Sequence, residues 1–499
     1  MNLTPELAKA QKLYLSQRFT EALPLFRKVA AKHPNEPVVW MDMGSAAFGA
    51  REYETAVEAL KNACRLAPGE PSFHRAAAQI FSRLRMPDME EAARRQVLSL
   101  MPHDPAALGA LASLLERQGR LDEADVVLAT ANAPSLDILR GAILGQRGDL
   151  AAAAACLRRA MAASRGNADV DYPASRELAK VLERSGQCDE AMLLLEKTNE
   201  AMRRGTLVSR MRSGFQAMAG QLSQLTSSIT QDDCDRWREA GADIPMSRPV
   251  ALLCGHPRSG TTLMEALIEP HPGITALEEI TAFSRRVFGP LIQKGPDWLA
   301  TLRSLKTPEC SRLARGYFQD MEFFLRGADP ARCLLDKNPS ETLRLAFWSR
   351  VLPAARLLVM LRDPRDVVLS CYFTSLPPNE VSVNYLTLEE TARHYALLMD
   401  VWLRQRALLP PASWLEVRYE DVAAQSSVWR DRVFHFLDLA AMESPHLTST
   451  SQVPFSPNYR DARQAPHQRS VNRWHRYARW LEPVMPLLAP YCRALGYPV

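Results

Sequence analysis

The sequence predicts a molecule in two parts, an all-α solenoid followed by an α/β domain with a mainly parallel sheet. In the first half, prolines recur every 34 residues. The second half alternates short apolar runs with helical patterns, which is typical of α/β domains. Two glycines bracket a short loop between its first apolar run and its first helix, a geometry suited to phosphate binding. Because 499 residues exceed one ordinary core, two or more domains are expected.

The repeats are defined by prolines that close similar strings, KHPNEP, LAPGEP and MPHDP, at Pro34, Pro68 and Pro102. A helix-like stretch precedes each one. Small residues recur upstream at the same spacing, at Ala10, Gly44, Ala78 and Ala112. Paired amphipathic helices with small residues at their crossings and a closing proline resemble the tetratricopeptide repeat, and less regular copies continue to about residue 202. The alternative is a non-repeating, Ala-rich bundle, but three prolines in register favour stacked repeats.

Residues 203–245 differ in composition from both halves. They are polar, with Ser, Thr and Gly clusters and a weak helical pattern, which predicts a connecting segment that ends near Pro245. We therefore expect a repeat domain at 1–205, a connecting segment at 206–245 and an α/β domain at 246–495.

Composition narrows the functional classes. Hydrophobic residues make up 47% and charged residues 23% of the chain, as in soluble globular proteins. A net charge of +5 gives no support to nucleic-acid binding but allows a local basic pocket. No signal peptide and no membrane span are predicted. The nine cysteines form no CxxC pair, which indicates free thiols in a reducing compartment, and we expect a soluble cytoplasmic protein.

Four apolar runs of the second half predict strands. They are continuous rather than alternating, as expected for parallel strands covered on both faces. Their sequences are VALLC (250–254), CLLD (333–336), ARLLVMLR (355–362) and WLEVRY (414–419). Ligands of such sheets bind at the carboxyl ends of the strands, so the residues that follow each run are candidates for a site.

The most informative segment is VALLCGHPRSGTTLMEALI. Gly255 and Gly260 enclose four residues, and Thr262 stands where a P-loop has its Ser or Thr. Position 261 is Thr rather than the Walker lysine, and the cation is Arg258, inside the loop. A nucleoside triphosphatase needs that lysine for its β- and γ-phosphates, whereas a 5′-phosphosulfate has no γ-phosphate to hold.

The strand–PRSGTT–helix segment resembles the 5′-phosphosulfate-binding loop of sulfotransferases that use PAPS (3′-phosphoadenosine 5′-phosphosulfate). PRSGTTLM followed by HP and a Glu pair resembles the tyrosylprotein sulfotransferase branch. LLVMLRDPRDVVLSCYF resembles the family's 3′-phosphate site, and LDKNP, LEVRYEDV and SVNRWHRY extend the resemblance over nearly all of 250–480. It implies an enzyme that transfers the sulfuryl group of PAPS to an acceptor hydroxyl, a protein tyrosine in that branch, and that releases PAP without a metal.

The resemblance also implies roles for individual residues. Glu279 is expected to be the catalytic base, Lys337 to neutralise charge on the leaving oxygen, and Arg258 to stabilise the moving sulfuryl group. The expected cofactor ligands are Arg258, Ser259, Gly260, Thr261, Thr262, Arg362, Ser370, Tyr419, Ser470 and Arg473.

Structural alternatives accompany the catalytic assignments. Glu278 and Glu279 could begin a helix, since acidic residues favour first turns, and either could be the base. Leu277 stands where the family has glycine. Lys337 could simply pair with Asp336, which could in turn be read as a Walker-B carboxylate.

Other residues also have structural explanations. Thr262 could serve only as a helix N-terminal residue, and Tyr419 could belong to the core. Arg365 and Asp366 are expected to form a structural ion pair at a helix start, and Trp474 to pack. His256, His271 and His394 follow no metal-binding pattern, so no metal site is predicted.

Three functions compete at this point. The favoured one is an active sulfotransferase whose repeats recruit a protein acceptor. The second is a helical-repeat interaction protein with a nucleotide-binding but non-catalytic domain, which the complete set of expected site residues opposes. The third is a metal-dependent kinase or ATPase, which Thr261 in the lysine position opposes.

Overall fold

The structure is a computed structural model that describes residues 5–442 and 468–499. The chain divides into two compact units, Met1–Ile143 and Leu144–Val499. Residues 443–467 of the predicted α/β domain lie outside the described residues, and none of the expected site residues is among them.

The first unit consists of consecutive antiparallel helix pairs. Their bounds are α1 Pro5–Leu15, α2 Phe19–Lys32, α3 Pro37–Ala50, α4 Tyr53–Leu66, α5 Pro71–Arg83, α6 Pro87–Leu100, α7 Pro105–Arg117, α8 Leu121–Ala129 and α9 Pro134–Arg147, the last continuing into the second unit. Pro34, Pro68 and Pro102 each follow the second helix of a pair by two residues. The predicted repeat architecture is therefore confirmed, and the non-repeating bundle is set aside.

The small residues of the repeats lie where helices cross. Ala10, Ala78 and Ala112 are buried. A Cβ added at Gly44 would lie 2.8 Å from Cγ of Leu60 on the next helix, closer than real side chains approach. The 34-residue periodicity thus arises because each pair buries its apolar face against its neighbours.

The second unit begins with helices α10 Leu150–Ser164, α11 Ala168–Arg184, α12 Cys188–Arg203, α13 Thr206–Ser228 and α14 Gln231–Gly241. The segment predicted as a connection is therefore almost wholly helical. Thr230 begins α14 with a capping box to Asp233, whose carboxylate also accepts two 2.7 Å hydrogen bonds from Arg303. On α13, buried Val208, Phe215 and Leu225 lie on one side of an otherwise polar helix. The signal for this helix in the sequence is weak, because few of its positions belong to the apolar stripe and the others are mostly polar.

A sheet of five parallel strands forms the centre of this unit, within the described residues, in the order β2-β3-β1-β4-β5. The strands are β1 Val250–Gly255, β2 Ile274–Glu278, β3 Cys333–Lys337, β4 Arg356–Leu361 and β5 Trp414–Arg418. The four predicted strands are confirmed. β2 is an additional edge strand, and it contains Glu278, so the Glu pair does not begin a helix.

Helices cover the sheet. They are α15 Thr261–Ile268, α16 Gly289–Ile292, α17 Trp298–Ser304, α18 Thr307–Leu325, α19 Leu345–Val351, α20 Pro364–Tyr372, α21 Leu388–Leu408, α22 Tyr419–Ala424, α23 Ser426–Phe436, α24 Ala478–Leu481 and α25 Met485–Ala494. α15 and α23 pack on one face, where Met264 and Phe434 join Leu253 and Leu358 in a buried cluster. All six residues of β1 are buried, as its continuous apolar run predicts.

The register places the strand ends together. Leu253 of β1 pairs with Lys337 of β3, Lys337 pairs with Glu278 of β2, and Gly255 pairs with Met360 of β4. The expected site residues at the ends of β1 to β4 therefore meet at the carboxyl edge of the sheet. No helix of the described residues combines the length and apolar character that crossing a membrane requires.

Candidate active site

The loop between β1 and α15 depends on its two glycines. Gly255 has φ +133°, and a Cβ there would lie 2.3 Å from the Met360 carbonyl oxygen. Gly260 has φ +105°, and its Cβ would lie 2.6 Å from the ring of Tyr419. Because both conformations and both close approaches exclude a side chain, the loop can turn tightly around a bound anion. Tyr419 itself is buried and begins α22.

Arg258, Arg362 and Ser370 form one group, although they come from three elements. Nε of Arg258 donates to the Ser370 hydroxyl at 3.1 Å. Nη1 of Arg362 donates to the Arg258 carbonyl at 3.2 Å. Arg258 has φ +76°, an uncommon conformation for a residue with a side chain, and it is held there by these neighbours. The structure therefore brings the loop arginine to the pair expected to hold a 3′-phosphate.

Arg362 also joins the other nucleotide candidates to this group. Its guanidinium carbon lies 4.7 Å from the ring centre of Tyr419, a cation–π contact. Nη2 donates to the Ser470 carbonyl at 2.6 Å. Ser259 Oγ and Arg362 Nε are among the buried side-chain polar atoms of the described residues that have no hydrogen-bond partner. Buried polar atoms of this kind are expected where an absent ligand accepts hydrogen bonds, so these residues fit an anionic nucleotide.

The expected ion pair between Arg365 and Asp366 is wrong. Arg365 forms a bidentate pair with Asp363 at 2.9 and 2.7 Å, and its guanidinium stacks 3.7 Å from the Trp474 ring. Asp366 faces Arg362 at 3.9 Å and accepts the Trp474 backbone N–H at 2.7 Å. Successive helical residues point about 100° apart, so neighbours on α20 reach different partners.

Lys337 is the centre of a cluster of three carboxylates. Its Nζ lies 2.6 Å from Glu278, 3.5 Å from Glu279 and 3.5 Å from Glu265. The Lys337 side chain is fully buried, Glu278 is 10% and Glu265 14% exposed, whereas Glu279 is 43% exposed. Of the two candidates for the base, only Glu279 is thus readily accessible to an acceptor.

The backbone at Glu279 differs from that of a regular strand. Its φ is +50°, and its N–H donates to the Lys337 carbonyl at 2.7 Å. This turn directs Glu279 away from the position that Glu278 occupies in β2, so one carboxylate remains inside the cluster and the other reaches outward. Left-handed non-glycine residues concentrate at functional sites, where the surroundings hold the strain.

Glu265 on α15 is a member of the cluster that the sequence analysis missed. Its signal was a single carboxylate in the apolar helix TTLMEALI, one turn beyond the loop. Burial raises the pKa of Glu265 to about 8, although Lys337 opposes the rise. Burial also disfavours the Lys337 charge, but the surrounding carboxylates outweigh it and raise the pKa of that ammonium. Lys337 is thus charged at neutral pH, and Glu265 retains much of its proton.

The alternative pairing of Lys337 with Asp336 is also wrong. Asp336 lies on the opposite face of β3, since successive strand residues alternate. There it accepts a 3.0 Å hydrogen bond from the Tyr317 hydroxyl of α18, and burial raises its pKa well above the ordinary value. A carboxyl of this kind belongs to the core, which leaves the Walker-B interpretation without support.

Ser470 and Arg473 occupy different surroundings. The Ser470 carbonyl contacts Arg362, as described above. Arg473 forms a bidentate ion pair with Glu183 of α11, at 2.5 and 2.8 Å. The structure therefore does not bring the Arg473 guanidinium into hydrogen-bonding contact with the Arg258–Arg362–Ser370 group, although its segment adjoins that group.

A buried histidine pair lies behind the loop. His256 Nε2 and His394 Nδ1 are 2.9 Å apart, and His256 Nδ1 lies 2.7 Å from the Pro257 carbonyl oxygen. Burial lowers the pKa of His256 to about 4 and that of His394 well below its ordinary value. Both rings are therefore neutral at physiological pH. Among the described residues, no cluster of His, Cys, Asp or Glu could hold a metal ion.

Acidification is expected to destabilise the fold through this pair. Between pH 6.5 and about 4, His256 is protonated in the unfolded chain but remains neutral in the folded chain. Stability therefore falls as pH falls through this window. His256 alone contributes about 3 kcal/mol to this loss. Denaturant unfolding at pH 7 and pH 5 measures the part that is lost between these two values, about 2 kcal/mol. His256→Gln should flatten the dependence, and the exposed His103→Gln should leave it intact; an equal slope in both variants would contradict the assignment.

Comparison with known proteins gives curated relatives that include several protein-tyrosine sulfotransferases. A protein-tyrosine sulfotransferase 1 of Danio rerio is 25% identical over 199 residues, covering 38% of this chain and 53% of the relative. The Homo sapiens protein-tyrosine sulfotransferase 1 is 32% identical over 133 residues, covering 24% of this chain and 33% of the relative. The chain thus spans about half or less of these relatives. A solved sulfotransferase of Mycobacterium avium aligns with 52% of this chain and 80% of its own at 15% identity, with a TM-score of 0.32.

Family comparisons cover both halves. Residues 13–80 and 87–135 match tetratricopeptide repeats. Residues 249–443, which contain the loop, the carboxylate cluster, Arg362 and Ser370, match the sulfotransferase family. The chain therefore carries a sulfotransferase-family domain preceded by tetratricopeptide repeats.

Proposed function

We propose that this chain transfers a sulfuryl group from PAPS to an acceptor hydroxyl, within a catalytic domain at residues 246–495. The observation that carries the proposal is the meeting of two groups at one sheet edge: the Arg258–Arg362–Ser370 group beside the glycine-bracketed loop, and exposed Glu279 beside buried Lys337. The first suits a nucleotide with two separate anionic ends. The second suits proton removal next to a fixed positive charge.

Each residue has a physical task in this proposal. PAPS, when bound, supplies a sulfuryl group whose bond to phosphate oxygen breaks as its bond to the acceptor oxygen forms. Ser259, Thr261 and Thr262 line the loop at the N-terminus of α15 and offer hydroxyl and backbone donors. Arg362 and Ser370 hold the 3′-phosphate. Arg258, which is hydrogen-bonded to Ser370, adds positive charge where the loop meets this phosphate site.

The chemical step depends on Glu279 and Lys337. Glu279 takes the proton of the acceptor hydroxyl, and Lys337 stabilises negative charge on the departing oxygen. Glu278 holds the Lys337 ammonium at 2.6 Å and so fixes its position. These contributions are electrostatic and positional, as is usual for transfer of a charged group.

We propose protein tyrosine as the acceptor. The two curated relatives described above are named for this acceptor, and a phenol, with a pKa of about 10, releases its proton to a carboxylate more readily than an aliphatic alcohol does. Tetratricopeptide repeats commonly bind proteins, so the repeats are proposed to recruit the acceptor chain. Carbohydrate and small-molecule hydroxyls are the alternatives in the acceptor test below.

Calorimetry of the full chain with PAP tests the nucleotide assignment. PAP should bind without metal, and ATP with magnesium should bind far more weakly. Arg362→Met should weaken PAP binding about 10- to 100-fold, because a charge-assisted hydrogen bond to phosphate is lost. The control is Arg356→Met at the opposite end of β4, where the guanidinium pairs with Asp438 and should not affect PAP. Preference for magnesium–ATP, or equal losses in both variants, would overturn the proposal.

Transfer from labelled PAPS identifies the acceptor. Tyrosine peptides should be labelled, and matched peptides with phenylalanine in place of tyrosine should not. Labelling of glycans or small alcohols alone would reject the tyrosine assignment and retain the sulfotransferase.

A further inference from the structure

Helix α11 is anchored to the part of the molecule that carries Ser370. Arg176 of α11 is fully buried, and its guanidinium donates to the Tyr372 carbonyl and to Asn199 of α12. Tyr372 is the last residue of α20, two positions after Ser370. The α11–α12 helices belong to the same compact unit as the sheet. The helix pair therefore contacts the backbone of a candidate phosphate-binding helix directly.

The same helix holds the chain segment 470–477. Glu183, near the end of α11, accepts hydrogen bonds from Nε and Nη2 along one edge of the Arg473 guanidinium and also accepts from Arg476 at 3.0 Å. The Arg473 guanidinium carbon lies 4.5 Å from the ring centre of Phe373, which directly follows α20. The Glu183 and Arg473 side chains are largely buried. Partial burial and bidentate geometry make this pair stronger than an ordinary surface salt bridge.

Segment 470–477 in turn contacts the candidate nucleotide group. The Ser470 carbonyl accepts from Arg362 at 2.6 Å. The Trp474 N–H donates to Asp366, whose carboxylate faces Arg362 at 3.9 Å. Arg362 is thus oriented by the segment that Glu183 holds. A continuous set of contacts leads from α11 through Arg473 and its segment to Arg362.

We infer that Glu183 is a positioning residue of the nucleotide site, which holds segment 470–477 against Arg362 through Arg473 and thereby strengthens nucleotide binding. The inference rests on the proposed function, since PAP is the nucleotide used to test it. It also assigns a role to the α11–α12 helices, which contribute to the catalytic unit rather than only to acceptor recruitment. The opposite arrangement, in which Glu183 competes with a phosphate for Arg473, has the opposite effect on affinity.

Substitution of Glu183 in the full chain tests the inference. Glu183→Gln should weaken PAP binding about tenfold in calorimetry. Without the ion pair, Arg362 is no longer held in place before PAP binds, and ordering it then reduces the free energy of binding. In transfer assays the KM for PAPS should rise while kcat changes little, since Glu183 does not touch the reacting atoms.

Asp189→Asn is the matched control. Asp189 lies on α12 and binds Arg479 and the Trp480 indole N–H at 3.0 Å, so it joins the same helix pair to the C-terminal segment. Its contacts lie beyond residue 477, and PAP affinity should not change. A second readout is amide hydrogen exchange, which should accelerate at residues 471–477 in Glu183→Gln but not in Asp189→Asn.

A double-substitution cycle completes the test. Arg473→Met should weaken PAP binding about as much as Glu183→Gln, and the double variant should be no weaker than either. If the wild-type chain binds PAP and Glu183→Gln binds it equally well or more tightly, the inference is overturned and the proposed function stands. Failure of the wild-type chain to bind PAP would instead overturn the proposed function itself.

Discussion

Glu279→Gln is expected to slow sulfuryl transfer by about 100- to 10,000-fold while PAP affinity stays the same. An amide cannot accept the acceptor's proton, yet it keeps the size and the hydrogen-bonding capacity of the side chain. The Glu279 side chain is the accessible carboxylate of the cluster, and it pairs with Lys337. Single-turnover transfer from labelled PAPS measures the rate, and calorimetry with PAP measures the binding.

Glu278→Gln is the control for this prediction. Glu278 is adjacent in the chain and contacts the same ammonium, but it is almost buried. Its substitution should reduce transfer much less than that of Glu279, because it affects the placement of Lys337 and not the proton transfer. If Glu278→Gln abolished transfer while Glu279→Gln retained it, the base would be Glu278.

Lys337→Met is expected to lower the free energy of unfolding by about 3–5 kcal/mol at pH 8, in addition to abolishing transfer. The fully buried ammonium is the cation that lies among Glu265, Glu278 and Glu279. Its removal leaves buried carboxylates without compensation. Denaturant unfolding of both proteins at pH 8 and pH 5 measures the difference.

The pH dependence of this loss has a definite sign. Without Lys337, burial of Glu265 is no longer opposed by that cation, so the folded-state pKa of Glu265 rises further above the unfolded value of 4.5. The folded chain then binds more protons than the unfolded chain, so stability falls as pH rises above about 4.5. The destabilisation relative to wild type should therefore be smaller at pH 5 than at pH 8. Comparison at equal pH removes the contribution of the histidine pair.

Lys337→Met combined with Glu278→Gln provides the internal control. Removing one carboxylate together with the lysine should restore part of the lost stability at pH 8. A loss that is the same at both pH values, and that the second substitution does not reduce, would indicate a packing defect rather than uncompensated charge.

Local patterns in the sequence predicted the fold class and most of its elements. The prolines at 34-residue spacing predicted the repeats because each helix pair makes the same contacts with its neighbours. Apolar runs predicted four of the five strands. Three of them are buried on both faces, which leaves no polar alternation. The strand at 274–278 was missed because it is only five residues long and Thr275 and Glu278 interrupt its apolar residues. Helix α13 was missed because only a narrow stripe of it is apolar.

The sequence by itself determined the loop at 255–260, the Arg362–Ser370 spacing and the identity of the Glu pair, because each depends on residues close together in the chain. Only the tertiary structure decided which charges meet. It paired Lys337 with Glu265 and Glu278 rather than Asp336, Arg365 with Asp363, and Arg473 with Glu183. The physical reason is that side-chain direction and strand order, which no local pattern contains, select the partner of each buried charge.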